Sequence, residues 1–314
     1  MNICPGLFSA AQHPYSAADP AEGQLMLKNL GYLTDIASLG EAAEIGIEAD
    51  HMTVRCRATP TFYWGNFLLL PRAPAAERID HWLAVFAGAF GDDPRIGHVS
   101  IGWQDDTGDA EAVKRFVERG FEVEDCTVTT LDSPPPDRAL PTGMRIEVAR
   151  SDADWRAVVE LGMACRDRRH GEASFRRYLE ELVVERRREA EAGRLHWYLA
   201  RIDGRVAGDM GLFVVDRAPK GLAIDGVDAP LPLARFQAVK THPDMRGRGV
   251  CSALLTRVCR DGLGPMGLKR LVILVDESGP AWRIYRRHGF RPLGKARGVW
   301  RPPAADWKAG AGGD

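Results

Sequence analysis

The sequence predicts an α/β fold in which helices flank a mixed, mostly antiparallel central sheet, and it predicts two such domains in tandem. Three observations lead to this. The 314 residues are about twice a typical domain length. Three consecutive prolines, at positions 134–136, interrupt the chain near its middle. After them, strand-like and helix-like patterns alternate in the order β-α-α-β-β-β-α-β-α-β.

The prolines place the domain boundary. Consecutive prolines cannot continue a helix or a central strand, and they form a stiff, extended spacer. We therefore expect a first domain over residues 1–132, a linker over 133–142 and a second domain over 143–303. The glycine-rich residues 304–314 are expected to form a flexible tail.

The elements of the second half follow from local patterns. Apolar residues at helical spacing predict helices over 152–164 and 174–192. Asp203-Gly204 between two apolar runs predicts a hairpin of strands 196–202 and 205–215. The remaining strands are expected at 144–149, 234–240 and 271–275, and the remaining helices at 250–261 and 280–287.

Composition and charge limit the class of protein. A hydrophobic content of 45% is ordinary for a soluble globular chain. Residues 1–140 carry 10 Lys and Arg against 21 Asp and Glu, whereas residues 141–314 carry 32 against 22. The basic half suits a polyanionic ligand such as a nucleotide cofactor, although the two halves could equally attract each other.

Cysteine usage and apolar runs suggest a cellular location. The six cysteines form no Cys-x-x-Cys pair and have no histidine cluster beside them, so neither a metal site nor a disulfide framework is expected. No leader-like N-terminus is recognisable, and every apolar run is too short to span a membrane. We expect a cytoplasmic protein with reduced thiols and no membrane partner.

The most informative segment is a glycine-rich turn, residues 246–249, between a predicted strand and a predicted helix. Gly247 and Gly249 let the backbone approach a ligand, and free N–H groups at the helix start favour anions. Arg246 and Arg248 add cationic donors. The pattern predicts a pyrophosphate site, with an ordinary strand-to-helix turn as the alternative. It is neither a Walker A loop nor Gly-x-Gly-x-x-Gly.

Two motifs carry a family resemblance. Arg246-x-x-Gly249-x-Cys251, preceded by Pro243, resembles the Arg/Gln-x-x-Gly-x-Gly/Ala signature of the GNAT acetyltransferases. A second signature of that family, Ala-x-x-aliphatic-Tyr-x-x-x-Gly-Phe, matches Ala281, Ile284, Tyr285, Gly289 and Phe290. The resemblance covers about half of the chain. It departs at Cys251, where Gly or Ala is usual, and at Ser278, where Asn is frequent.

The resemblance implies a GNAT-like fold and an activity. It implies that an acetyl group moves from acetyl-CoA to an amine of a small molecule or a protein, by direct attack in a ternary complex and without a metal. Tyr285 would be the general acid that protonates the departing thiolate, and an amide near Thr241 would stabilise the oxyanion. The implied cofactor-binding residues are Val239, Lys240, Thr241, Arg246, Gly247, Arg248, Gly249, Val250, Cys251 and Ser278.

The general base and the acceptor stay open at this stage. Gln237 through a held water, His242, Asp209 and Glu147 are all candidates for the base, and no local context favours one. The acceptor pocket is expected over the first two helices of the second half. The charged loop 166–171 could attract an acidic acceptor or the 3′-phosphate of the cofactor, or it could simply be solvated.

The first half contains a partial copy of the second motif. Residues 111–121 repeat the aromatic-x-x-x-Gly-Phe spacing, with Phe116 in the place of the tyrosine. No glycine-rich turn follows the apolar run 67–70. We expect a degenerate GNAT-like domain that acts as a scaffold or as one wall of the acceptor site, with chance similarity as the alternative. Asp105 and Asp106 could meet a cationic amine or simply be solvated.

Two other functions remain as alternatives. Cys251 and Ser278 leave open a non-catalytic acyl-CoA-binding or regulatory module, although Tyr285 argues against it. A nucleic-acid partner is not expected, because the arginines of the second half alternate with glutamates and lack interleaved aromatic residues. The oligomeric state is left open.

Overall fold

One sheet of eleven strands runs through the part of the chain that the computed structural model describes, residues 27–105, 110–222 and 227–303. The order across the sheet is β1-β2-β3-β4-β11-β5-β10-β9-β8-β7-β6. The tail 304–314, Cys4 and Asp106 lie outside the described residues. The strands are β1 (Ala43–Ile47), β2 (Met52–Cys56), β3 (Asn66–Leu70), β4 (Val99–Trp103), β5 (Glu122–Leu131), β6 (Met144–Val148), β7 (Leu195–Ile202), β8 (Arg205–Val215), β9 (Leu233–Thr241), β10 (Arg270–Val275) and β11 (Arg291–Arg301).

Helices cover both faces of this sheet. Three of them, α1, α4 and α5, pack on one face, and the other four pack on the opposite face, with α2 and α3 over the first half and α6 and α7 over the second. No helix in the described ranges is long and apolar enough to cross a membrane. The helices are α1 (Leu30–Ala37), α2 (Ile79–Phe90), α3 (Ala110–Glu118), α4 (Asp152–Ala164), α5 (Glu172–Glu191), α6 (Val250–Leu263) and α7 (Pro280–Arg287).

Strand alternation explains how the sheet separates the cores. In β7, Trp197 and Leu199 face the α4 side, whereas Tyr198 and Ala200 face α6. Successive side chains of a strand point to opposite faces, so a strand with both faces covered is apolar throughout. The predicted mixed sheet with flanking helices is thereby confirmed.

The last strand of each half lies among strands of the other half. β5 pairs antiparallel with β10 on one edge, from Leu271 opposite Leu131 to Val275 opposite Thr127. On its other edge, β5 pairs with β11, which in turn pairs with β4. The linker 133–142 joins β5 to β6 without a helix or strand of its own. The division into two domains stays a prediction, because one continuous sheet spans the proposed boundary.

The two halves repeat one strand arrangement. In the first half, β3 and β4 pair in parallel over Leu68–Leu70 and Ile101–Trp103. In the second half, β9 and β10 pair in parallel over Leu233–Arg235 and Arg270–Val272. Each parallel pair is three residues long and is joined by a crossover helix, α2 or α6.

The turns after α3 and α7 also repeat. The amide of Phe121 donates to the carbonyl of Phe116 over 3.1 Å, and the amide of Phe290 donates to the carbonyl of Tyr285 over 3.1 Å. The glycine before each of these phenylalanines has a positive φ, 79° and 95° respectively. The similarity seen in residues 111–121 therefore extends to backbone geometry. That the first half is a degenerate copy stays a prediction.

The helices and strands predicted for the second half are confirmed in their order, and two helices agree with the prediction at both ends, 152–164 and 280–287. Asp203 and Gly204 both have positive φ, 49° and 82°, as the central residues of a type I′ hairpin turn require. The second helix, α5, begins at Glu172 rather than at Ser174, because Gly171 occupies its N-cap position.

Cleavage of the linker should leave the two fragments bound to each other under native conditions, because β5 forms hydrogen bonds with strands of the second half on both of its edges. A protease site placed after Pro136, followed by gel filtration, measures this. We expect one peak at the size of the uncut chain, which separates into two only in denaturant. Separate elution of the fragments without denaturant would contradict the strand exchange.

Candidate functional site

β9 and β10 separate at the centre of the second half. Their parallel pairing ends at Arg235 and Val272, although β9 continues to Thr241 and β10 to Val275. Beyond this point β10 keeps its pairing with β5. The edge of β9 that faces β10 is therefore open from residue 236 onward, and an extended ligand can hydrogen-bond to it as an added strand.

A β-bulge lies in this open stretch of β9. The register between β8 and β9 shifts between Asp209 and Gly211, and Ala238 has a positive φ of 44°. A bulge rotates the peptide groups around it and so redirects them out of the regular ladder. The predicted cofactor-binding residues Val239, Lys240 and Thr241 follow directly after it, at the end of β9.

The turn that follows leaves a row of backbone amides without acceptors. Gly247 and Gly249 both have a φ of 76°, and no side chain caps the N-terminus of α6. Among the described residues, the amides of residues 247–252 donate to no acceptor. These are the donors that a helix N-terminus offers to an anion. Arg246 and Arg248 are exposed beside them, and neither forms an ion pair within the described ranges.

His288 connects the two motifs. This buried histidine ends α7, and its Nε2 lies 3.2 Å from Ser252 Oγ and 3.2 Å from Thr256 Oγ1, both on α6. Its Nδ1 lies 2.8 Å from the carbonyl oxygen of Ile284. This residue was not predicted from the sequence. The available signal was a pair of hydroxyl residues, Ser252 and Thr256, one turn apart on an otherwise apolar helix face.

Tyr285 is held by this packing close to the first turn of α6. The residue is 4% exposed, and its hydroxyl forms no hydrogen bond within the described part of the chain. Burial raises its pKa well above the usual value, the nearby Cys251 thiol raises it further, and Arg235 opposes the shift. The phenol therefore keeps its proton at neutral pH, as a proton donor must.

Cys251 and Ser278, the two departures from the family pattern, lie in the first turn of α6 and in the turn between β10 and α7. Burial raises the pKa of the Cys251 thiol to about 11, so the side chain is a small neutral group in the first turn of α6. Ser278 is exposed after β10, where its backbone amide and its hydroxyl both donate to Asp276 Oδ1, over 2.8 and 2.7 Å. A role for Ser278 in cofactor binding stays a prediction.

Asp209, a candidate base, lies inside the protein. The carboxylate has no exposed surface, and its Oδ2 lies 3.3 Å from Lys240 Nζ and 3.2 Å from Trp197 Nε1. Burial raises its pKa from 3.8 to about 6, while Lys240 and Trp197 act in the opposite direction. Its other oxygen, Oδ1, has no hydrogen-bond partner in the described part of the chain. An acceptor amine has no access to a carboxylate that is sealed in this way.

The other three candidate bases have structural partners. Gln237 accepts a hydrogen bond of 3.0 Å from Arg186 on α5. His242 accepts one of 3.3 Å from the amide of Asp244 and so caps the short 3₁₀ helix that follows. Glu147 pairs with Arg201 at the edge strand β6. Of the three, Gln237 is the one on β9 beside the open edge.

The loop 166–171 and Asp105, the other positions singled out in the sequence, lie near elements of the first half. In the loop 166–171, Arg169 pairs with Asp167 and reaches Glu122 on β5 over 3.4 Å, so this loop packs against the first half. Asp105 lines a cavity of about 350 Å³ together with Asn29, Val128 and other residues near the start of α1. That cavity does not include β9.

Comparison with known proteins supports the interpretation of these motifs. Residues 155–290 match the model of the acetyltransferase (GNAT) family, and this segment contains β9, the glycine-rich turn, α6 and α7. This part of the chain is therefore similar to the GNAT acetyltransferases. A search of curated proteins with this sequence finds no match.

Solved structures share the fold over most of the chain. A functionally unknown conserved protein from Staphylococcus epidermidis has a TM-score of 0.65 at 11% identity, covering 84% of this chain and 95% of its own. A GCN5-related N-acetyltransferase from Kribbella flavida has a TM-score of 0.58 at 13% identity, covering 88% and 97%. At such identities the likeness shows the fold alone, and it extends to both halves.

Proposed function

We propose that this protein is an N-acetyltransferase that moves an acetyl group from acetyl-CoA to an amine of a small molecule or a protein, by direct attack in a ternary complex. One observation carries the proposal. The amides of residues 247–252 have no acceptor among the described residues, and Tyr285, whose hydroxyl forms no hydrogen bond there either, packs in the same apolar core as Val250, within the segment that matches the GNAT model. A donor array for a diphosphate and a proton donor for a leaving group thus occur together.

The residues of the site suit the two ends of acetyl-CoA. The amides at the start of α6 would donate to the diphosphate, and Arg246 and Arg248 would add charge-assisted hydrogen bonds. The open edge of β9, including Val239 and Thr241, offers backbone donors and acceptors to the amide groups of the pantetheine arm. Ser278 and Cys251 border the same region.

The chemistry of transfer needs few side chains. A backbone N–H near the bulge of β9 would stabilise the oxyanion that forms on the thioester carbonyl. Tyr285 would protonate the sulfur as the C–S bond breaks, because a phenol carries its proton at neutral pH. The acceptor nitrogen must lose a proton before it attacks, so a base is also required. A non-catalytic acyl-CoA-binding module would need the turn but not the tyrosine.

Replacing Gly249 with alanine should abolish the protection that acetyl-CoA gives against heat. A Cβ at a φ of 76° strains the turn by about 1–2 kcal/mol and moves the amides that would hold the diphosphate. We expect millimolar acetyl-CoA to raise the Tm of the unmodified protein, because a ligand that binds only the folded state stabilises it. Thermal denaturation with and without acetyl-CoA measures the effect.

Gly193→Ala is the matched control for this experiment. Gly193 has a φ of 77°, and a Cβ there would meet no atom within 4 Å, but the residue follows α5, far along the chain from the turn. Both variants should lose similar stability, and only Gly193→Ala should keep the protection. Equal protection in both variants would show that acetyl-CoA does not use the turn.

Tyr285→Phe should lower kcat for acetyl transfer by about 100-fold or more, because it removes the proton donor for the leaving sulfur. It should leave the protection by acetyl-CoA unchanged. The release of free thiol from acetyl-CoA in the presence of a panel of amines measures the rate. Tyr198→Phe serves as the control. It removes another tyrosine hydroxyl, which donates a hydrogen bond of 3.1 Å to Asp261 and is not part of the proposed site. An unchanged rate in Tyr285→Phe would exclude the tyrosine as the acid.

A further inference from the structure

The first half supplies one wall beside the open edge of β9. β10 pairs with β5 only as far as Thr127, so Cys126 and Glu124 lie on β5 beyond the end of β10. Glu124, Cys126 and Val128 are spaced two residues apart on this strand, so their side chains lie on the same face. Val128 belongs to the core on the α1 face of the sheet. All three therefore face the side of the sheet opposite to α6 and α7. If the cofactor binds at the start of α6, an acceptor can approach its thioester from this opposite face of the sheet.

Arg235 connects this wall to Tyr285. The guanidinium of Arg235, at the last paired position of β9, forms an ion pair of 2.9 Å with Asp35 on α1. Its charge lowers the pKa of Cys126 and also opposes the rise in the pKa of Tyr285. Both side chains therefore lie within electrostatic reach of the same cation, so the β5 wall and the proposed acid belong to one neighbourhood.

Glu124 differs from the other carboxylates on and around β5. Glu122 lies 3.4 Å from Arg169, and Asp125 lies 3.2 Å from Arg297. Glu124, by contrast, pairs with no lysine or arginine in the described ranges, and its hydrogen-bond partners are the thiol of Cys126, at 3.0 Å, and the indole of Trp300. A half-buried carboxylate without a cation is energetically costly, and a ligand that brings its own positive charge removes that cost.

The groups around Glu124 favour its protonated form. Burial is the largest cause that raises its pKa, and the carboxylates of Asp35 and Asp276 raise it further, while the hydrogen bonds from Cys126 and Trp300 lower it. The other groups that face this cluster are Tyr32 on α1, whose hydroxyl donates to the carbonyl oxygen of Arg297, and Arg235 on β9. A carboxylate with a raised pKa is a stronger base than one in water.

We propose that Glu124 is the general base of the acetyl transfer, and that it takes the proton from an acceptor that arrives as a primary ammonium ion. This inference rests on the proposed acetyltransferase function. An independent observation supports a reaction at this place, since Tyr285 is 4% exposed and its hydroxyl forms no hydrogen bond with any of the described residues. The active site is thereby completed by a strand of the first half.

Aromatic rings indicate the rest of the acceptor. Trp300, which binds Glu124, lies 5.5 Å from the ring of Tyr63, and Tyr63 stacks on His98 at 4.5 Å. Aromatic faces beside a carboxylate favour an ammonium group on an apolar or aromatic body. An acidic acceptor is disfavoured, because Arg169 is already paired with Asp167 and Glu122, and Arg235 is already paired with Asp35.

The protons balance in this scheme. The ammonium gives one proton to a carboxylate oxygen of Glu124, and the freed lone pair of the nitrogen forms the C–N bond with the thioester carbon. The C–S bond then breaks, and the sulfur takes the proton of Tyr285. The second proton of the nitrogen returns to the tyrosinate through water, and Glu124 releases its proton to solvent. The products are an amide, coenzyme A as a thiol, and one proton.

Glu124→Gln in the full chain tests the proposal, with n-butylamine, tyramine and putrescine as acceptors and thiol release as the readout. We expect kcat at pH 7 to fall by about 100-fold or more, with unchanged thermal protection by acetyl-CoA. The wild-type rate should level off once Glu124 is ionised. The variant rate should instead rise about tenfold per pH unit through the alkaline range, because only the amine that is already neutral can react.

Asp125→Asn is the control, since Asp125 is adjacent on the same strand but points to the other face, where it pairs with Arg297. It should keep the wild-type rate and pH profile. If the glutamine variant does not fold, Glu124→Asp replaces it, and that variant should keep the wild-type pH profile at a rate reduced by 10-fold or more.

The outcomes separate the two proposals. Wild-type rates and profiles in the Glu124 variants, or a wild-type protein that binds acetyl-CoA but acetylates none of the three amines, would overturn the role of Glu124. The proposed function itself would be overturned by a different result: acetyl-CoA does not protect the wild-type protein from heat, and no thiol is released from acetyl-CoA with any of the amines.

Discussion

Backbone hydrogen bonds on both edges of β5 hold the two halves of this protein in one sheet. A strand with a free edge exposes unpaired N–H and C=O groups, and burying such groups without partners is costly. β10 can part from β9 after Val272 because β5 satisfies its other edge up to Val275. The opening in the sheet therefore depends on a strand that the first half supplies. The same strand carries Glu124 past the end of β10.

The two halves share an arrangement of strands but differ in the groups that reach the surface. After β9, the amides at the start of α6 have no acceptors among the described residues, and the hydroxyl of Tyr285 forms no hydrogen bond with them either. After β3, the carboxylate of Asp105 accepts the amide of Ala73 over 3.3 Å, and Phe116 is fully buried without a polar group. A carboxylate at that place repels the anion that the second half is arranged to attract. The first half thus has the geometry of the repeat without its donors.

Local patterns were sufficient for the elements and the turn. Apolar spacing, the Asp203-Gly204 dipeptide and the proline at position 280 each act within a few residues, so the second half could be predicted almost element by element. Gly247, Gly249 and Tyr285 could be selected as candidates because their motifs are also local. The start of α5 was misplaced because Gly171 caps it without a side chain.

Contacts between distant parts of the chain could not be predicted. The choice of β10 and β11 as partners of β5 depends on the energies of competing pairings across more than a hundred residues, which no local pattern reports. Glu124 was missed for the same reason, since nothing in the sequence distinguishes it from Glu122 or Asp125. Arg169 reaches Glu122 and Arg297 reaches Asp125, whereas no guanidinium of the described residues pairs with Glu124.

The binding of a diphosphate by the free amides at the start of α6 can be observed directly by ¹⁵N NMR of glycine-labelled protein during titration with acetyl-CoA. The amide signals of Gly247 and Gly249 should shift downfield in step with ligand concentration as each N–H acquires an acceptor, while those of Gly193 and Gly204 stay in place. If Gly247 and Gly249 stay in place while other glycine signals shift, acetyl-CoA binds elsewhere and the site described above is wrong.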